Sequence, residues 1–192
     1  MVSATPTGRD ALLARAIGHF AEHGVGDTSL RALAEAIGTS HRMLIYHFGS
    51  REGLLAAVVD TVEEGARQTL ARMVEEARAD PDPLDAGLRY WRLVTDDALV
   101  YGPLFFELSS HAMLGLPHAV ELRGRLVTTW LDALTSMWRA RGVPARRARS
   151  QARLDLAVAR GLLHDLLLTG DRRGVDAAMR QYARETVASL LG

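Results

Sequence analysis

At 192 residues and 48% apolar content, the chain is long enough to bury a core, as one compact unit or as a small module followed by a larger one. The absence of cysteine excludes a disulfide framework and a thiolate metal site; with no long apolar run and no charged-then-apolar N-terminus, neither a membrane span nor a signal peptide is expected, which leaves the cytoplasm as the default. Formal net charge is zero, 23 basic against 23 acidic residues, and every basic residue is arginine, so composition lacks the basic surplus usual in a nucleic-acid binder.

Met1 to Thr7 is small, polar and Pro-containing, and reads as a frayed arm. From about Gly8 to His23, the residues Leu12, Leu13, Ala16, Ile17 and Phe20 form one apolar stripe ended by Gly24 and Gly26, which predicts a first helix. His19 and His23 stand one helical turn apart on it; without a third ligand they read as surface residues and not as a metal site. Next comes Thr28 to Phe48, TSLRALAEAIGTSHRMLIYHF. Leu30, Leu33, Ala34 and Ile37 recur at helical spacing behind Thr28 as N-cap, Gly38 stops that helix, and Thr39 and Ser40 are placed to cap another, running roughly from Ser40 to His47. Leu44 and Phe48 point inward from it, which leaves His41, Arg42, Met43 and Tyr46 outside. Two short helices joined by a Gly-containing turn, the second with polar and aromatic residues outward, form the helix-turn-helix pattern, whose second helix lies in a major groove of DNA.

A long helix follows, with Ser50 as N-cap, Glu52 in its first turn and Gly53 where a capping box would have Glu. Leu54, Leu55, Val58, Val59, Val62, Ala66, Leu70, Met73 and Val74 keep one face apolar. Asp80, Pro81, Asp82 and Pro83 break it, a helix restarts from Leu84 to about Val100, and Pro103 is expected to open a separate short helix through Met113. After a turn at Gly115 to Pro117, another helix is expected from about His118 to Arg141, then two more in QARLDLAVARGLLHDLLLTG and GVDAAMRQYARETVASLL. No convincing alternation marks a strand. The expectation is an all-α fold, with a three-helix DNA-binding domain over 8–50 and a larger helical domain over 51–192. The penultimate helix is apolar around more than one face, and Ala157, Gly161, Ala177 and Ala178 would allow close approach of neighbours. That suits a symmetric four-helix interface between two copies and, equally, the middle of a monomeric bundle.

The run FAEHGVGDTSLRALAEAIGTSHRMLIYHFGSREGLL resembles the tetracycline-repressor-like (TetR) regulators, at the residue level from Ala11 to about Val59 and beyond that in helical layout. The resemblance implies a homodimer that binds palindromic operator DNA, most often as a repressor, and is released by a small-molecule effector in the larger domain. It implies groove-facing roles for Arg31, Thr39, His41, Arg42 and Met43, with Ser40 beside them, and phosphate or sugar contacts for Ser29, Tyr46 and His47. Arg42 stands where the family often has Gly and Ile45 where it often has Tyr. One usual phosphate contact is therefore expected to be missing, and Arg42 to add one to a base or the DNA backbone. The implied pocket would find its lining in Trp91, Phe105, Phe106, Met113, Trp130, Trp138 and His111, residues that serve equally well as core. The implied dimer interface takes in Leu154, Ala157, Val158, Gly161, Leu162, Ala177 and Ala178. No cofactor or metal is called for.

Two other classes fit the residues less well. One is a dimeric interaction protein whose exposed second helix binds another protein. The other is an all-helical enzyme using His164 with Asp165, or His111 with Ser109 and Ser110; adjacent helical residues point about 100° apart, and nothing else supports catalysis, so no enzymatic activity is expected.

Overall fold

The computed structural model describes residues 8–79 and 82–191; the arm expected at Met1 to Thr7 and the breakers Asp80 and Pro81 lie outside the described residues. Among the described residues there are eight helices and no strand: α1 (Gly8–His23), α2 (Leu30–Ala36), α3 (His41–Phe48), α4 (Arg51–Ala79), α5 (Pro83–Met113), α6 (Leu122–Ala140), α7 (Ala145–Thr169) and α8 (Arg172–Leu191). The all-α reading of the sequence holds. None of the described helices is long and apolar enough to cross a membrane.

Two compact units are distinguished by their packing. The first comprises the described residues up to Glu64 together with Pro103–Arg123, and the second Gly65–Gly102 together with the described residues from Gly124 onward. Helices α4 and α5 each contribute to both, so these packing units interleave along the chain.

In the first unit α1 buries Leu12, Leu13, Ala16, Ile17 and Phe20, the five residues of its apolar stripe. Val25, Leu33, Leu44, Leu54, Leu55, Val58, Leu104 and Leu108 are almost wholly withdrawn from water. Each contributes about 1.5–3 kcal/mol by burial. That magnitude explains one departure from the sequence reading. Pro103 does not open a new helix but sits inside the continuous α5. A proline within a helix costs about 3 kcal/mol, and the burial of Leu104, Leu108 and Ala112 beyond it offsets that cost. A second departure concerns α6, which begins at Leu122 and not at His118. Residues 117–121 instead turn tightly, with Ala119, Leu122 and Arg123 each bonding a carbonyl three residues back.

The second unit packs three apolar groups: Leu70, Met73, Leu131, Leu134, Ala152 and Leu156; Trp91, Leu166 and Val175; and Trp138, Val143 and Ala148. Partly buried carboxylates tie its helices together. Asp155 on α7 accepts from the Trp138 indole of α6 at 2.6 Å, and from the Tyr182 hydroxyl of α8 and the Gln151 amide, each at 2.8 Å. Burial, followed by the charge of Asp155, pushes the Tyr182 phenol well above its ordinary pKa, so it remains a donor. Asp176 on α8 accepts from the Trp91 indole at 2.7 Å, and Arg172 bridges Asp176 and Asp96 at 3.3 and 2.9 Å.

Candidate nucleic-acid interface

The exposed helix α3 is built by caps at both of its ends and at the ends of α2. Ser29 caps α2, its hydroxyl oxygen accepting the Ala32 N–H at 3.2 Å. The sequence reading assigned that role to Thr28. Both residue types cap well, but burial of Leu30 makes it the first helical residue, and the neighbouring Thr28 carbonyl is held by the Arg51 guanidinium at 2.9 Å. At the other end Gly38 takes φ +66°, the left-handed conformation that lets Thr39 N–H reach back to Ala34 O at 2.9 Å and Gly38 N–H to Glu35 O at 3.2 Å. Ser40 then caps α3 by accepting the Met43 N–H at 3.2 Å.

Helix α3 buries Leu44 and Phe48 and turns its other residues outward. His41, Arg42 and Met43 are exposed, Ile45 joins them at 40%, and Tyr46 is 78% exposed. A tyrosine with that much surface in water has no packing role in the isolated chain. His47 is half-buried, its ring edge-on to Tyr46 at 4.9 Å. Of the remaining residues named for DNA, Arg31, Ser29 and Ser40 are exposed and Thr39 half-buried. The helix carries no carboxylate, so it meets a solvent-facing partner with only neutral and cationic groups despite the zero net charge of the whole chain.

Four supporting side chains carry no local sequence signal. Arg15 on α1 donates to the Ile37 carbonyl at 3.0 Å, which secures the end of α2. Arg9 lies over the Phe48 ring, 5.1 Å from its centroid, an arrangement in which the ring's negative face attracts the cation. Arg51, at the start of α4, binds the carbonyls of Thr28 and Gly26. Glu107 on α5 accepts the N–H groups of Val25 and Gly26 at 2.7 and 3.0 Å. The hydrogen-bonded partners lie 22 to 82 residues apart in sequence, beyond the reach of periodicity.

The corner between α3 and α4 is also fixed by backbone geometry. Ser50 accepts the Gly53 N–H at 3.0 Å, as its capping role predicts. A Cβ at residue 53 would overlap the Phe48 carbonyl oxygen, which explains why the glutamate of a capping box is absent there. Glu52 keeps its carboxyl below the usual range through bonds to its own backbone N–H and then to Ser50.

The residues named for a ligand pocket fall in both packing units. Trp91 and Trp138 are buried in separate apolar groups of the second unit, and Trp130 packs against the group around Leu131 and Leu134. Phe105 and Phe106 face each other edge-on at 5.5 Å in the first unit, Met113 is 68% exposed, and His111 bonds His118 at 3.1 Å. Ser109 donates its hydroxyl to the Phe105 carbonyl rather than to His111. An open cleft of about 880 Å³ lies elsewhere in the second unit, between Arg67, Leu70, Val74 and Glu75 on α4 and Thr129 and Ala133 on α6. Beside the apolar group of Leu70 and Leu134, the Tyr90 hydroxyl is buried with no hydrogen-bond partner among the described residues, and burial pushes its pKa up.

On α7 and α8, Leu154 (54%), Ala157, Gly161, Ala177 and Ala178 are exposed, and Val158 and Leu162 half-buried. A Cβ at Gly161 would meet nothing within 4 Å.

Comparison with known proteins accords with this architecture. Residues 12–58 match the family described as bacterial regulatory proteins, tetR family. The whole chain aligns at 32% identity over 193 residues with 86% of the HTH-type transcriptional regulatory protein RaaS of Mycobacterium tuberculosis. Among solved structures, a transcriptional regulator from Rhodococcus sp. superposes with a TM-score of 0.80 at 20% identity, over 96% of this chain and 98% of that one. A TetR transcriptional regulator from Legionella pneumophila gives 0.76 at 17% identity, over 96% and 99%. A regulator from Saccharomonospora viridis, solved in complex with choline, gives 0.70 at 20%, over 94% and 95%. At these identities the structures are similar in fold.

Proposed function

We propose, from the premise that this chain belongs to the tetR family of bacterial regulatory proteins, that it represses transcription by binding a palindromic operator as a homodimer and leaves it when a small molecule occupies the second unit. The observation that carries the reading is the outward face of α3, where Arg42 and a 78% exposed Tyr46 stand beside His41 and Met43 without a carboxylate among them. Arg42 supplies a bidentate donor for guanine or phosphate, and Tyr46 and the Ser29 and Ser40 hydroxyls reach the backbone. Two such helices related by a two-fold axis read half-sites about 34–36 Å apart, or a multiple of that. The exposed small and apolar residues of α7 and α8 support the pairing, since a monomer leaves them in water. The volume of the cleft beside Leu70 and Ala133 falls in the range of small-molecule sites. A ligand that prefers the conformation with the wrong half-site spacing weakens operator binding through a coupling of about 1–3 kcal/mol.

Selection and sequencing of genomic fragments bound by the purified protein tests this directly, and symmetric sites of regular spacing are expected. On a selected duplex, Arg42→Ala lowers affinity by about 1–3 kcal/mol. Tyr46→Ala lowers it less and flattens sequence preference little. Binding that ignores salt, or survives both substitutions in a folded protein, assigns the α3 face to another partner.

A further inference from the structure

The turn between α1 and α2 is gripped by side chains of opposite charge. Its donors, the N–H groups of Val25 and Gly26, point at the two oxygens of Glu107, at 2.7 and 3.0 Å. Its acceptors, the carbonyls of Gly26 and Thr28, are held by the guanidinium of Arg51. Successive backbone N–H groups converging on one carboxylate form an anion-binding concavity, and here the anion is built into the chain. The turn leads through Ser29 directly into α2 and the reading helix α3, so its conformation fixes where Arg42 and Tyr46 point.

Glu107 is not isolated. His111 lies one turn further along α5, its Nε2 3.9 Å from Glu107 Oε1. Its other nitrogen, Nδ1, meets His118 Nε2 at 3.1 Å, the rings perpendicular. With both rings neutral, one N–H serves that contact. If His118 donates it, the His111 Nε2–H is left facing Glu107. Arg51 and Glu52 at the start of α4 are also felt by His118. A further proton on the pair places an imidazolium against Glu107, where it competes with the backbone N–H groups for the same carboxylate. Burial, followed by the neighbouring His111, holds the His118 pKa below its ordinary value, which favours its neutral form.

Resting on the DNA-binding reading above, we infer that Glu107 is a positioning residue for operator binding, and that the His111–His118 pair governs how firmly its carboxylate holds the α1–α2 turn. It touches no DNA. It acts by presenting α2 and α3 in one orientation.

Operator affinity of the full chain and of Glu107→Gln, measured at pH 7.5 and 5.5, tests this. The variant binds at least about tenfold more weakly at pH 7.5, the loss expected from one charge-assisted hydrogen bond, and the gap closes to within about twofold at pH 5.5 because the native protein has loosened its own grip. Any effect of pH on α3 itself is common to the two proteins and cancels in their ratio. Glu107→Asp, which keeps the charge but is one methylene too short to reach both N–H groups, falls between them, and it provides a second variant should the amide compromise folding. Hydrogen exchange of the Val25 and Gly26 amides, followed without DNA, accelerates in both variants. A variant-to-native ratio that stays within twofold at pH 7.5, or is equal at both pH values, overturns the inference. If the native protein binds no duplex while amide exchange still answers to Glu107→Gln, the DNA-binding reading has failed and the grip on the turn has not.

Discussion

In the first unit, polar side chains bond chiefly to backbone; in the second, the bonds that join one helix to another run mostly from side chain to side chain. Ser29, Ser40, Arg15, Arg51 and Glu107 all direct their hydrogen bonds to N–H and C=O groups of turns and helix ends. Asp155 and Asp176 instead collect indoles, a phenol and a guanidinium from other side chains. The first arrangement fixes the path of short connections, which a protein presenting a small helix at a defined angle requires. The second fixes the register of long helices, while leaving an open cleft and a buried hydroxyl among them.

The largest expected effect falls on the second arrangement. Asp155→Ala strands the Trp138 N–H, removes the acceptor of the Tyr182 O–H, which keeps its bond from the Gln151 amide, and costs about 3 kcal/mol, read as a lower urea midpoint with an unchanged slope. If the loss is below about 1 kcal/mol, the carboxylate is not what holds α6, α7 and α8 in register. Ser40→Ala breaks a cap of the first unit and costs about 1 kcal/mol, with a drop in operator affinity that exceeds what a uniform loss of stability would give. Equal effects on stability and binding would erase the contrast between the units. The smallest effect is a pH dependence. Because the folded-state pKa of His118 is depressed, the unfolded chain takes up the proton first, and its neutral contribution is fully present above about pH 6.5 and fades as pH falls toward the lower folded value. Native protein therefore loses stability relative to His118→Gln between pH 7 and 5, which paired thermal melts will show; a gap that widens in the other direction contradicts the assigned shift.

The same contrast explains what could be read from sequence. In α1 to α3 the determinants are local: the apolar stripe of Leu12 to Phe20, the left-handed Gly38, the capping Ser40 and the inward Leu44 and Phe48 all lie within a few residues of the structure they specify. Even the error there, Thr28 for Ser29 as N-cap, is a slip of one position between two good cappers. Elsewhere the determinants are distant. Pro103 carries a strong local signal for a helix start, and burial of Leu104 and Leu108 overrules it. Trp91 and Trp138 read as easily for a ligand box as for core; their indoles go to Asp176 and Asp155, 85 and 17 residues away. Glu107 looks like any acid on an amphipathic helix until its partners appear 81 and 82 residues earlier.

Gly53 has a genetic consequence. Since no side chain fits between it and the Phe48 carbonyl, random mutagenesis scored for lost regulation should recover null alleles at this codon as readily as at those for Arg42 or Tyr46. A hotspot map drawn from such a screen would thus mark, besides the surface proposed to meet the operator, a silent hinge pin whose constraint lies within its own chain.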